Sequence, residues 1–141
     1  MSSDELACKM ACHDLMTSLA WALDHGANAE AADLFADDGV IVQPDRSDSG
    51  PNARGLLMKR SSEIVTHHIL TNASVRLIDG TTAEGRAYVM VYRAPAKPDA
   101  LPRALPQTPQ GVGHWLMQFR KTKEGWRISR METLPRLAPA G

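Results

Sequence analysis

The chain has 141 residues, 43% of them hydrophobic and 23% charged, which suits one compact domain with a real core and excludes a disordered or multi-domain layout. Its 16 Lys and Arg balance 16 Asp and Glu, so no net field draws it to nucleic acid or to an anionic membrane, and small molecules are the expected partners. No apolar run approaches the ~20 residues of a membrane span, and Met1-Ser2-Ser3-Asp4-Glu5 lacks the start of a signal peptide, so a cytoplasmic location is expected.

A first helix is expected from about Asp4 to His25. Ser2 or Ser3 can cap it, Leu15, Leu19, Ala22 and Leu23 recur at helical spacing, and Gly26 and Asn28 stop it. Cys8 and Cys12 fall four apart on this helix, where they share a face but make a poor disulfide, so they read as reduced thiols. With His13 they offer zinc-binding residue types, yet no second ligand pair follows and no metal is expected. A second short helix fits Ala29 to Phe35, Asp37-Asp38-Gly39 reads as a turn, and Val40-Ile41-Val42 as a brief strand. Pro44 to Pro51 is polar and turn-rich, a surface loop by composition. Pro51 opens a third helix at the position where proline is tolerated, with Leu56, Leu57 and Met58 as its apolar face.

From His67 the pattern turns to β. His67 to Ile78 reads as a strand, Asp79-Gly80 as a hairpin turn and Thr82 to Arg93 as the returning strand. Residues 94–109 carry five prolines, which remove ladder donors and predict a long excursion of the kind that often serves as a lid. Gly111 to Lys121 is the next strand, Lys123-Glu124-Gly125 a turn, Trp126 to Leu134 the last strand and 135–141 a frayed tail. One domain over 1–141 follows, with its core at about 4–134. Helices first and strands afterwards give an α+β class, with helices on one face of a mainly antiparallel sheet.

The stretch Thr66-His67-His68-Ile69-Leu70-Thr71-Asn72 sets two histidines at the start of a strand, and the helical Asp24 can meet one of them across a pocket. A His–Asp pair suits proton abstraction. The carboxylate fixes the imidazole tautomer and supports the imidazolium, and an ordinary histidine pKa of about 6.5 keeps the base usable at neutral pH without a cofactor. Alternation groups His67 with Ile69, Ala73, Val75 and Leu77, the more apolar set, and His68 with Leu70, Asn72, Ser74 and Arg76. Alternation alone therefore chooses His67, whereas a bulge near Asn72 reverses the facing partway along. Trp115, Met117 and Phe119 alternate on one strand, where Trp115 can stack on a flat ligand or simply fill the core. Arg130 lies two pleats beyond Trp126 and on its face, either as an inward anion or carbonyl holder or as the member of a surface ion pair, and Tyr88 and Tyr92 are further pocket candidates. The competing structural reading makes Asp24 a helix-end cap and His68 a hydrogen-bonded strand residue.

Ala22-Leu23-Asp24, Leu34-Phe35-Ala36-Asp37-Asp38-Gly39, Thr66 to Asn72, Gly111-Val112-Gly113 and Gly125-Trp126-Arg127-Ile128 occur in that order over roughly residues 10–134. Together they resemble the SnoaL-like branch of the nuclear transport factor 2-like superfamily, whose members include scytalone dehydratase, ketosteroid isomerase-like enzymes, polyketide cyclases and dehydrochlorinases. The resemblance implies a cone-shaped α+β barrel, its N-terminal helices packed into the concave face of a strongly curved sheet around an apolar pocket. In dehydratase-like and dehydrochlorinase-like members an Asp of the first helix orients a His at the start of the first long strand, which corresponds to Asp24 and His68. Trp115, Met117, Asn72, Tyr88 and Arg130 are the expected substrate-binding residues, Trp115 standing where relatives often carry a pocket tyrosine. Leu23 replaces the tyrosine that precedes the aspartate in scytalone dehydratase, and Ala87 falls near that enzyme's second histidine, so its water-activating tyrosine system is not implied. The expected function is a cofactor-independent lyase or isomerase, dehydratase-like, acting on a small hydrophobic cyclic or carbonyl-bearing molecule. The alternative is a noncatalytic ligand-binding or dimerisation module. Under either, outer-face residues such as Ile69, Val91 and Leu116 favour a homodimer through the sheet.

Overall fold

Ser2 starts the first helix, α1 (Ser3–Asp24), through a reciprocal pair of hydrogen bonds. Its hydroxyl accepts from the Glu5 amide and its own amide donates to the Glu5 carboxylate, both at 3.1 Å. The computed structural model describes residues 1–140. Cys12, Leu15, Met16, Leu19 and Leu23 recur along one face of α1 and are buried. Burial first, and Cys8 second, push the Cys12 thiol up to about 12, which keeps it protonated and unreactive. The chain leaves α1 through Gly26 at φ +67 and enters α2 (Asn28–Asp33). α3 (Pro51–Met58) carries its proline in the first turn, where the missing amide costs nothing.

The strands are β1 (Phe35–Gln43), β2 (Arg46–Ser49), β3 (Ile64–Leu77), β4 (Thr82–Pro95), β5 (Gly111–Thr122) and β6 (Gly125–Leu137). They form one sheet in the order β2-β1-β6-β5-β4-β3, antiparallel except where β1 runs beside β6. This is the α+β arrangement expected, N-terminal helices on a mostly antiparallel sheet, with α1 lying against β3, β4 and β6. Met16, Leu19, Ile41, Met117, Phe119 and Ile128 form the fully buried centre between the two layers. Gly85 belongs to that centre by having no side chain, since a Cβ there would sit 2.8 Å from the Phe119 ring and 3.3 Å from the Met16 sulfur. None of the helices is long and apolar enough to cross a membrane among the described residues.

Three local expectations are corrected. Asp37-Asp38-Gly39 is no turn but the irregular middle of β1, where five steps on β1, from Phe35 to Val40, face two on β6, from Ile128 to Arg130. Gly39 makes this possible, because a Cβ there would lie 2.9 Å from the Ala36 carbonyl oxygen. The segment 44–51 is not all loop, since Arg46–Ser49 pairs with Val40–Gln43 as the edge strand β2. The last strand continues to Leu137, three residues into the expected tail, because Pro135 and Leu137 still pair with Gly113 and Val112 of β5. The excursion between β4 and β5 occupies 96–110, close to its expected bounds.

Two bulges decide which side chains face the helices. On β3 the register slips between Thr71 and Ser74, so Thr66, His68 and Leu70 point inward on one side of Asn72 and Ala73, Val75 and Leu77 on the other. Asn72 itself sits at φ +54, a conformation asparagine tolerates better than most residues. On β6 the slip falls at Ser129, which places Trp126, Ile128 and Met131 inside and turns Arg130 outward.

Candidate active site

Asp24 is the last residue of α1 and points at the start of β3. Its Oδ2 accepts from the backbone amide of His68 at 2.8 Å, and its Oδ1 accepts from the Thr66 hydroxyl at 2.9 Å and from His68 Nδ1 at 2.5 Å. The Asp24 and His68 side chains are each only 10% exposed. Burial is the largest single influence on the Asp24 carboxyl and opposes its ionisation, but the hydrogen bonds and charge of His68, together with Thr66, outweigh it and hold the pKa below the ordinary carboxyl value. An ionised carboxylate only accepts, so the geometry places a proton on Nδ1 and leaves Nε2 as the nitrogen free to exchange a proton with a ligand. The ring packs against Trp115 of β5, their centroids 5.6 Å apart and their planes inclined at 45°.

Thr66 also lines a cleft of about 780 Å³ bounded by α3, β2 and the start of β3. Arg60 reaches in from the segment after α3 and gives Thr66 a long hydrogen bond of 3.4 Å. Its backbone is pinned by Asn28, whose side-chain amide donates to the Met58 and Arg60 carbonyls at 3.2 Å each. A row of side chains thus runs Arg60, Thr66, Asp24, His68.

Residues 4–132 match the family model described as the SnoaL-like domain. The chain belongs to the SnoaL-like domain family. Solved structures with the same fold include a provisionally named scytalone dehydratase from Novosphingobium aromaticivorans, 19% identical over 99% of this chain and 91% of that one, with a TM-score of 0.80. The type 3 hexachlorocyclohexane dehydrochlorinase LinA from Novosphingobium barchaimii is 16% identical over 96% and 91% of the two chains, with a TM-score of 0.77. A nuclear transport factor 2-like protein from Novosphingobium aromaticivorans, 22% identical over 85% and 76%, aligns at a TM-score of 0.66. No curated protein sequence matches the chain.

In this SnoaL-like domain the sequence-derived candidates divide into two groups. Asp24, His68 and Trp115 come together, and Met117 lies buried further along the inner face of β5. Asn72, Tyr88 and Arg130 do not join them. Asn72 is an exposed bulge residue, Tyr88 is 51% exposed on the outer face and stacks on His114, and Arg130 pairs with Glu132 on that same face at 3.4 Å. Counting pleats from Trp126 would turn Arg130 inward, but the bulge at Ser129 breaks that count, and the surface ion pair is the reading that holds. Val91, expected outside, packs inward directly across from His68, whereas Ile69 and Leu116 do face outward. Arg60 and Arg93 carried no sequence signal, because the turn and the strand pairing that bring them to the cleft are long-range. Thr66 had one: it shares the inner face with His68 by simple alternation.

Proposed function

We propose that this SnoaL-like domain is a cofactor-independent acid–base lyase or isomerase of dehydratase type, acting on a small cyclic or carbonyl-bearing molecule. The observation that supports the reading is the Asp24 carboxylate taking both the Nδ1 proton and the main-chain amide of His68, with Thr66 as a third donor. Such a clamp fixes one tautomer and one ring orientation, which is what a general base needs. In the reaction, Nε2 of His68 takes a proton from a carbon beside an electron-withdrawing group. The electron pair of that C–H bond becomes the new double bond, and a leaving group departs with its own pair or an existing double bond migrates. The imidazolium, stabilised by Asp24, returns its proton to the leaving group or to another carbon of the product. The names dehydratase and dehydrochlorinase, carried by two structural neighbours, both denote eliminations.

A panel of β-hydroxy and β-halo carbonyl compounds tests the reading. His68→Ala is expected to reduce turnover by about 10²–10⁴-fold in a protein that still folds, with a lowered melting temperature because Asp24 loses a donor, and unchanged turnover in that variant would sink the mechanism. A noncatalytic ligand-binding module is the second reading, favoured by the near-complete enclosure of His68 under Trp115. On that reading His68→Ala alters affinity while no compound is turned over. The outer sheet face, with Ile69, Tyr88 and Leu134 exposed, is our proposed surface for a second copy of the chain.

A further inference from the structure

The cleft beside Thr66 is cationic in a chain that has no net charge. Arg46, Lys59, Arg60 and Arg93 line it against one carboxylate, Asp48, and Arg46 already engages that group through a two-pronged contact at 2.8 and 2.9 Å. Among the described residues no salt bridge occupies Lys59, Arg60 or Arg93. Arg60 is half-buried, and its charge is disfavoured by burial and by Arg93, with only Asp24 supporting it. Arg93 stands directly across the β3–β4 ladder from Thr66, so both guanidinium groups belong to the wall that meets the His68–Asp24 pair. Leu56 and Ile64 add apolar lining to the cleft. Its volume falls within the usual range for small-molecule sites, about 300–1,000 Å³.

We propose that this cleft binds the carboxylate of a small organic acid, with Arg60 as its principal anchor, Arg93 and Lys59 as supporting charges, and the apolar body of the ligand along Leu56 and Ile64. Guanidinium groups match a planar carboxylate with paired hydrogen bonds, and an anion placed between two arginines relieves their mutual repulsion. The apolar lining argues for an acid with a hydrocarbon body over a bare inorganic ion. This deepens the proposed function and rests on it for the ligand's fate alone: an acid tethered at Arg60 extends past Thr66 toward His68, which makes the substrate a carboxylated one.

Calorimetric titration of the whole protein with benzoate, phenylacetate and hexanoate, against benzyl alcohol and inorganic phosphate, tests the site. At least one carboxylate is expected to bind at least tenfold more tightly than benzyl alcohol and phosphate, and Arg60→Gln to weaken it at least tenfold. Arg93→Gln, at an exposed position, is expected to weaken binding in the same direction, and a thermal melt of each variant separates lost binding from lost folding. Binding is also expected to survive His68→Ala, so a failed reaction and a failed site give different results. No carboxylate binding, equal binding of benzyl alcohol, preference for phosphate, or indifference to both arginine variants would overturn the proposal.

Discussion

Asp24 makes the largest demand of any single residue on the surrounding chemistry, because a carboxylate with only 10% of its side chain exposed must be kept ionised by its donors. Its folded-state pKa is held below the ordinary carboxyl value, so between the two values the unfolded chain binds a proton that the folded chain refuses. The stability it contributes is therefore full above the ordinary carboxyl pKa of about 3.9 and is lost as pH falls through the folded value. Urea denaturation at pH 7, 5, 4 and 3 is expected to show a steeper loss for the wild type than for Asp24→Asn, and parallel curves would exclude the linkage. Thr66→Val removes one of the three donors at nearly constant volume and is expected to cost about 1 kcal/mol at pH 7. The choice of His68 over His67 was not legible from alternation, which favoured the wrong residue for an inward position. It came from the resemblance, and the physical reason is the slip at Asn72.

The elements that could be read from sequence are those whose hydrophobic pattern and punctuation agree. α1 shows its buried stripe and its Ser2 cap, and the β3–β4 hairpin shows Asp79, whose carboxylate accepts from the Thr81 and Thr82 amides at 2.8 Å each. β2 was unreadable because Arg46-Ser47-Asp48-Ser49 has nothing to bury. It is a strand through its pairing to β1 and its Arg46–Asp48 contact. The bulge at Ser129 is equally hidden, since no glycine or proline marks the slip, and it settles Arg130 between its two readings in favour of the surface ion pair. Gly85 provides the test at this scale. Adding one methyl group there drives it into the Phe119 ring, so Gly85→Ala is expected to destabilise the protein by about 1–3 kcal/mol in chemical denaturation. An unchanged midpoint would mean that the ring and Met16 move aside freely.

At the scale of the molecule, one sheet face is covered by helices and the other is not. The uncovered face mixes Arg76–Glu84 and Arg130–Glu132 ion pairs with the exposed Ile69, Tyr88 and Leu134, a surface of both signs and some apolar area that can meet its own copy about a two-fold axis. Sedimentation velocity is expected to find a dimer that Tyr88→Arg converts to a monomer without loss of secondary structure. A dimer indifferent to that change would place the contact elsewhere, for instance at the exposed Trp21 of α1. The slip at Asn72 has a consequence of another kind. Its side chain is exposed, so exchanging it for other tolerated residues alters little, and Asn72 and Ala73 together stand against a single residue of β4. Removing Ala73 would leave a regular ladder in which His68, Leu70, Val75 and Leu77 all still face inward, because the bulge exists to absorb that one extra residue. A scan of single-residue deletions along β3 is expected to find its tolerant position there, since a deletion anywhere else in the strand turns part of the inward set to the outer face.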